Sequence, residues 1–279
     1  LQTAGGDAMR AEATNQWTRT RTVVADRGTI FDRDGEELAV SIPAATISIN
    51  PKLVDNEDAT LNMLATMLNL SVEEQQRLYD EMVRKEKGFV YVRRQIDADL
   101  GAQIAALKLS GVNVDAEPTR LLPGGDTGRS VIGRTDIDGI GIAGLELQYN
   151  DILSGRDGNV TRQVAPGGRS IAGSENGSEG AVPGDDLILT IDRSIQFTCE
   201  QALLERVENT SSKAGTCIVM DAQSGELYAM ASVKRNNESD EVRITSGNYA
   251  AVDAYEPGSV AKVITIAAGL ETGVVGPNT

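Results

Sequence analysis

The chain has 279 residues, of which 40% are hydrophobic, and this is enough to bury a substantial core in one large or two ordinary globular domains. Acidic residues outnumber basic ones by 41 to 26, and the formal charge of −15 would repel phosphate groups, which excludes a general nucleic-acid binder. There is no histidine, so Ser-His-Asp and Cys-His catalysis are excluded, and any base must be Lys, Asp, Glu or Tyr.

The first part of the chain alternates between helix and strand signals. A polar lead, Met9 to Trp17, is compatible with a helix. Apolar residues on both sides of Asp34-Gly35 predict a β-hairpin, because Asp and Gly tolerate positive φ, and the run ATISINP predicts another strand. From Asp55 the apolar spacing of three and four predicts two amphipathic helices, the second beginning with a capping box formed by Ser71 and Glu74.

The middle of the chain predicts short elements and glycine-rich loops. The run FVYVRRQI predicts a strand, Ala98 to Leu107 a small helix, and VNVDAEPTRLLP an extended segment. In the glycine-rich region that follows, we predict a helix from Leu145 to Leu153 and a second hairpin around Asp157-Gly158. The polar stretch 173–180, GSENGSEG, is the best candidate for a linker, and we place a domain boundary near Gly184.

A second core is predicted after this boundary. The pattern indicates a strand LILTID, an amphipathic helix from about Ser194 to Glu208, and a strand GTCIVMD that is apolar enough to be buried on both faces. A turn at 223–225 leads into ELYAMAS, its expected antiparallel partner, and Lys234 to Ser246 is predicted to be a surface loop. The fold class is therefore α+β.

The two cysteines, Cys199 and Cys217, show no CxxC or Cys/His ligand spacing. We interpret them as two small buried side chains rather than as a disulfide or a metal site. No metal and no cofactor is expected.

One serine and one lysine stand at the start of an apolar run. In GSVAKVITIAAGLETG nearly every position after Ser259 is apolar except Lys262, which predicts a buried helix. Three residues apart, the two side chains share one helix face, and burial can lower the pKa of a lysine so that it acts as a base on the serine. The alternative is structural: a serine cap with a lysine that extends its ammonium group to solvent.

The string YEPGSVAKVITIAAGLETGVV resembles the active-serine segment of penicillin-binding proteins, whose SxxK motif is known. Three upstream segments resemble class B members of that family in the same order. DRGTIFDRDGEELAVS resembles the box that opens the pedestal domain, GIAGLELQYNDILSGRDG a second pedestal segment, and GDDLILTIDRSIQ with AGTCIVMDAQSGELYAMAS the start of the transpeptidase domain.

The resemblance implies a mixed pedestal of hairpins and short helices over residues 1–184, followed over 185–279 by the first part of a transpeptidase domain with an antiparallel sheet and helices. It implies Ser259 as the acyl-ester nucleophile and Lys262 as the general base, whereas Arg27, Asp32, Arg33 and Glu146 are interpreted as structural. The family's SxN and KTG motifs would follow Thr279, so we expect a fragment that reacts poorly on its own. The family's Asn-Arg pair appears here as Asn248-Tyr249, so any contact made by that arginine is in doubt.

The function that the resemblance implies is cross-linking of peptidoglycan stem peptides ending in D-Ala-D-Ala, with β-lactams as inhibitors. The segments SIP and NYAAVDAYEPGS favour the division-type enzyme, with the elongation type as an alternative. Glycosyltransferase and divisome partners at the pedestal, and a membrane anchor before Leu1 with the bulk of the protein outside the cytoplasm, are also implied. Other classes remain open: a non-catalytic binding module, and a β-lactamase or β-lactam sensor.

Overall fold

The structure is a computed structural model that describes residues 18–163 and 179–279. The elements of its first part are β1 Thr18–Val23, β2 Ile30–Phe31, β3 Glu37–Ile42, β4 Ala44–Ile49, α1 Glu57–Leu68, α2 Val72–Arg84, β5 Val90–Asp97, α3 Ala98–Ala106, β6 Val112–Ala116 and β7 Thr119–Leu121. Then come α4 Arg129–Ile132, β8 Arg134–Thr135, β9 Gly141–Ala143, α5 Gly144–Gln148, α6 Asn150–Leu153 and β10 Gly158–Gln163. The last part contains β11 Leu187–Ile188, α7 Arg193–Asn209, β12 Ala214–Met220, β13 Leu227–Arg235, β14 Val242–Ile244, α8 Tyr249–Val252 and α9 Lys262–Glu271.

This mixture of helices and strands confirms the α+β class. The predicted helix at Met9 to Trp17 and most of the predicted linker 173–180 lie outside the described residues. No helix within the described ranges is both long and apolar enough to cross a bilayer.

The largest core lies between a three-stranded sheet, in the order β5-β4-β6, and helices α1, α2 and α3. All six residues of β4 are buried, so both faces of this central strand are covered. The predicted capping box begins α2: Ser71 Oγ accepts from the amide of Glu74, and the Glu74 carboxylate accepts from the amide of Ser71. The central side chains of this core are Ile47, Ile49, Leu64, Leu78, Met82 and Ile104.

The predicted hairpin at Asp34-Gly35 is confirmed: β2 and β3 pair antiparallel, and Gly35 has a φ of 87°. This hairpin belongs to a four-stranded sheet in the order β11-β2-β3-β7. Because β11 pairs with β2 in parallel, the segment that leads into the second predicted domain is hydrogen-bonded to the hairpin formed by β2 and β3.

The second predicted hairpin, around Asp157-Gly158, is wrong. Strand β10 pairs antiparallel with β1, whose residues are about 140 positions earlier in the chain, as in the pair Thr20↔Thr161. The Asp157 carboxylate accepts from the backbone amide of Ala25 at 2.9 Å, so Asp157 fixes a long-range crossing rather than a local turn.

The last part of the chain forms the sheet β12-β13-β14, with α7 packed on one face. The prediction that β12 is buried on both faces is wrong, because Ile218 and Met220 are 51% and 58% exposed on the face that α7 does not cover. The predicted loop at Lys234 to Ser246 is also partly wrong, since it contains β14, which pairs with β13.

Candidate active site

Ser259 lies in a short 3-10 turn, Gly258–Ala261, and Lys262 is the first residue of α9. Gly258 begins this turn with a φ of 54°, a conformation that glycine adopts most easily. The backbone N–H of Lys262 donates to the carbonyl oxygen of Ser259, which closes the turn. The serine and the lysine are therefore adjacent across one helical turn, as their spacing predicts.

The helix that carries them is not buried, contrary to the prediction. Val263 and Ile264 are 71% and 75% exposed, and Lys262 is exposed as well. Within the described residues, α9 packs mainly on the 3-10 turn before it, because no other element covers its apolar side chains. The residues that the structure describes therefore do not provide the dry environment that was expected around the lysine.

The serine hydroxyl and the lysine amine are not hydrogen-bonded to each other among the described residues. No hydrogen bond connects Ser259 Oγ with Lys262 Nζ in the part of the chain that the structure describes, and no side-chain hydrogen bond caps the turn. The exposed lysine matches one half of the structural alternative, whereas the serine cap does not form. The site therefore consists of a serine hydroxyl and a lysine amine that lie one helical turn apart on an exposed surface.

The segment before the serine is attached to the second sheet. Asn248 Nδ2 lies 2.9 Å from Met230 Sδ, and the amide of Ala250 donates to Ser232 Oγ at 3.2 Å. Tyr249, which occupies the place of the family's arginine, has Lys234 Nζ 4.8 Å from its ring centroid. Tyr249 thus makes a cation–π contact with Lys234 on the second sheet.

In the first part of the chain, a buried ion cluster surrounds Glu146. Its Oε2 accepts from Arg27 Nε at 2.5 Å, and its Oε1 accepts from Arg120 Nε at 2.7 Å. Arg27 also donates to Asn150 Oδ1 and to Ser154 Oγ. Burial lowers the pKa of Arg120, and the charge of Glu146 partly opposes this. The structural interpretation of Arg27 and Glu146 is confirmed.

Arg120 is the member of this cluster that sequence reasoning missed. The available signal was a lone arginine inside the extended run VNVDAEPTRLLP, which is unfavourable to bury without a partner. The partner Glu146 lies 26 residues further along the chain, so local pattern could not identify the pair.

Asp32 anchors the pedestal hairpin to the start of α7. Its Oδ1 accepts from the amides of Asp34 and Glu36 at 2.8 and 2.9 Å, and its Oδ2 accepts from the amide of Arg193 at 3.2 Å. Burial raises the pKa of Asp32, but these backbone donors outweigh burial, so the pKa is lowered. The residue has a structural role, as predicted.

Arg33 extends the same attachment to β13. Its guanidinium lies 4.3 Å from the ring centroid of Tyr228 and 3.9 Å from a carboxylate oxygen of Glu226. Its amide donates to the carbonyl oxygen of Ile191 at 2.9 Å. Asp32 and Arg33 therefore hold the hairpin against the strand and helix that precede the serine segment.

A buried carboxylate, Glu200, makes a second connection between the two parts. Glu200 Oε1 accepts from the backbone amide of Gly128 at 2.9 Å and from Gln196 Nε2 at 2.7 Å. Its Oε2 is buried and has no partner among the described residues. Burial raises the pKa of Glu200, only partly offset by these two donors. This group was also missed, because a glutamate in an amphipathic helix is ordinarily interpreted as exposed.

Comparison with known proteins gives two family matches. Residues 22–189 match the penicillin-binding protein dimerisation domain, and residues 215–279 match the penicillin-binding protein transpeptidase domain. Ser259 and Lys262 lie inside the second match. The two matches together cover most of the chain.

Three relatives illustrate the similarity. The chain is 34% identical to a probable peptidoglycan D,D-transpeptidase PenA of Neisseria meningitidis over 98% of its own length and 48% of the relative's. It is 30% identical to the peptidoglycan D,D-transpeptidase FtsI of Escherichia coli over 100% of its length and 48% of the relative's. A solved peptidoglycan synthetase from Bifidobacterium adolescentis aligns with a TM-score of 0.58 and 28% identity, over 93% of this chain and 52% of that one. The chain thus spans about half the length of the curated relatives that it matches.

Proposed function

The chain belongs to the class B penicillin-binding proteins, and from this premise we propose that the intact protein is a serine-type peptidoglycan D,D-transpeptidase. The carrying observation is that Ser259 and Lys262, within the match to the transpeptidase domain, are presented one helical turn apart at the start of α9. The chemistry requires a nucleophile with a nearby base, and in this chain, which has no histidine, Ser259 and Lys262 are the groups proposed for these two roles.

In the proposed reaction, Ser259 Oγ attacks the carbonyl carbon between the two terminal D-alanines of a stem peptide. The peptide bond breaks, the last D-alanine leaves as an amine, and the remaining peptide is held as a serine ester. An amine of a neighbouring strand then attacks that ester, which forms the cross-link and regenerates the serine. A β-lactam would acylate the same oxygen and remain there.

Lys262 is proposed to accept the serine proton, which requires a neutral amine and hence a drier environment than the described residues provide. The exposed apolar side chains of α9 support the proposal that further residues of the intact protein pack on this helix. Packing of this kind would remove water from Lys262 and complete the pocket, and burial disfavours the charged form of a lysine.

The proposed biological role is septal cross-linking during cell division, supported by the similarity to FtsI and by the segments SIP and NYAAVDAYEPGS. In this role the protein would be held in the cell membrane by an anchor before Leu1, with its bulk outside the cytoplasm. The pedestal would contact a glycosyltransferase and other membrane proteins of the division machinery. Elongation-type synthesis is the competing role.

A transfer assay tests the activity. The intact protein is mixed with a pentapeptide ending in D-Ala-D-Ala and an acceptor amine, and release of D-alanine is measured together with the cross-linked product. The proposal predicts that both products disappear in Ser259→Ala and fall strongly in Lys262→Met, while Lys213→Met, a change on the surface after α7, leaves them unchanged. Product formation by Ser259→Ala would contradict it.

Depletion in the source organism tests the role separately. A division enzyme predicts filaments with normal width, because growth continues without septa. Rounded or widened cells without filaments would indicate the elongation role instead and would leave the proposed chemistry intact.

A further inference from the structure

The two cysteines lie on elements that pack directly against each other. Helix α7 covers the face of β12 that carries Gly215, where a Cβ atom would come within 2.9 Å of Val207 Cγ2 and 3.1 Å of Leu203 Cδ2. Any side chain at this position would crowd Val207 and Leu203, so the glycine lets these helix residues pack directly on the strand.

The positions of the cysteines follow from this contact. Cys199 precedes Leu203 by four residues, one helical turn or about 6 Å along the axis, and Cys217 follows Gly215 by two, or about 6.6 Å along the same strand face. The short connection after α7 makes the helix and β12 run in opposite directions, so both steps lead the same way from the contact. Cys199 and Cys217 therefore face each other.

The state of the thiols agrees with this placement. Both cysteines are free and half-buried. Burial raises the pKa of Cys199 to about 11, with a hydrogen bond to the Cys217 side chain as the next cause. The sequence of 279 residues contains no third cysteine.

We propose that Cys199 and Cys217 are a dithiol that closes to a disulfide between α7 and β12 when the protein meets a disulfide oxidant such as glutathione disulfide. One cysteine thiolate attacks the oxidant and releases one thiol, leaving a mixed disulfide. The second cysteine attacks that mixed disulfide and releases the other thiol. In sum, two protein thiols are oxidised to one S–S bond, the oxidant is reduced to two thiols, and two protons pass to the released thiolates.

This bond would join the helix to the central strand of the second core. Since it closes a loop in the unfolded chain, it is expected to raise the melting temperature by on the order of 5 °C. Disulfides persist outside the cytoplasm, so the proposed location of the protein would favour the oxidised form. The inference does not depend on the transpeptidase activity, because it concerns only the packing of α7 on β12.

The test is oxidation of the intact protein with glutathione disulfide, followed by tryptic digestion without reduction. We expect the peptides 194–206 and 214–234 to appear joined, with a mass lower by two hydrogen atoms than their sum, and to separate when a reducing agent is added. The melting temperature before and after oxidation gives a second readout that needs no substitution.

Single variants provide the control. Cys199→Ser and Cys217→Ser should each lose the joined peptides and the temperature shift, and should instead carry one glutathione on the remaining cysteine. Separate peptides that each carry glutathione in the unsubstituted protein would overturn the proposal, as would two unreacted thiols. A covalent dimer joined through Cys199 or Cys217 would overturn it as well.

Discussion

Arg27 and Glu146 are 119 residues apart in the chain, yet their side chains form a buried ion pair with Nε and Oε2 2.5 Å apart. The pair joins the segment before the pedestal hairpin to α5, and Arg120 occupies the other carboxylate oxygen. Because charges are expensive to bury, removing one member of such a cluster leaves another charge without compensation.

Removing one member of the cluster should therefore lower the free energy of unfolding strongly. We expect Arg27→Ala to lower the free energy of unfolding by about 3–5 kcal/mol, since it leaves a buried carboxylate with only one cation. The matched control is Arg93→Ala, which breaks the half-exposed pair with Glu74 and should cost less than about 1 kcal/mol. Urea denaturation measures both changes. Equal losses would show that the buried cluster is not a special stabilising feature.

The buried carboxylate of Glu200 should make stability depend on pH. Burial raises its pKa in the folded state, so the folded protein binds this proton more tightly than the unfolded chain does. The contribution is complete below the ordinary glutamate pKa of 4.5 and is lost as the pH rises through the raised value. Glu200→Gln should flatten this decline in the free energy of unfolding.

Glu205→Gln, an exposed change on the same helix, is the control and should keep the decline. The lowered pKa of Asp32 acts in the opposite direction, and its stabilisation is lost as the pH falls below the ordinary value of 3.8. Measurements above pH 4.5 therefore separate the two carboxylates. An unchanged slope in Glu200→Gln would mean that Glu200 is not the group responsible.

A glycine contact tests the packing beside the ion cluster. Gly133 has a φ of +83°, and a Cβ atom there would lie 1.9 Å from the carbonyl oxygen of Ala143. Gly125 has a similar φ of +65°, but nothing lies within 4 Å of its Cβ position. Gly125→Ala should thus cost about 1 kcal/mol from backbone strain alone, and Gly133→Ala about 3 kcal/mol or more. Thermal unfolding of both variants measures these two losses of stability. Similar losses would contradict the close approach of Gly133 to the carbonyl oxygen of Ala143.

Features that depend on neighbouring residues were predictable from the sequence. The hairpin at Asp34-Gly35 follows from residues that tolerate positive φ, and the capping box of α2 follows from Ser71 and Glu74 three positions apart. Pairing over long distances was not predictable: Asp157-Gly158 has the composition of a local turn, but β10 pairs with β1 instead.

In the candidate site, too, one feature follows from neighbouring residues and another depends on distant ones. The adjacency of Ser259 and Lys262 follows from their spacing in the chain and from the turn that precedes α9. The burial of that helix does not follow from its apolarity, because apolar side chains indicate that a helix needs a partner without identifying which residues supply it. In the described chain that partner is missing, and Ile264 remains 75% exposed.

The most direct test of the proposed function is the site at which a labelled penicillin becomes attached to the intact protein. Trypsin releases residues 244–262 as one peptide, which contains both Ser246 and Ser259 and so provides its own control. We predict that mass spectrometry finds the penicillin on this peptide in the unsubstituted protein and in Ser246→Ala, and finds none in Ser259→Ala that is folded by its thermal transition. Penicillin that remains covalently bound in folded Ser259→Ala would contradict the account.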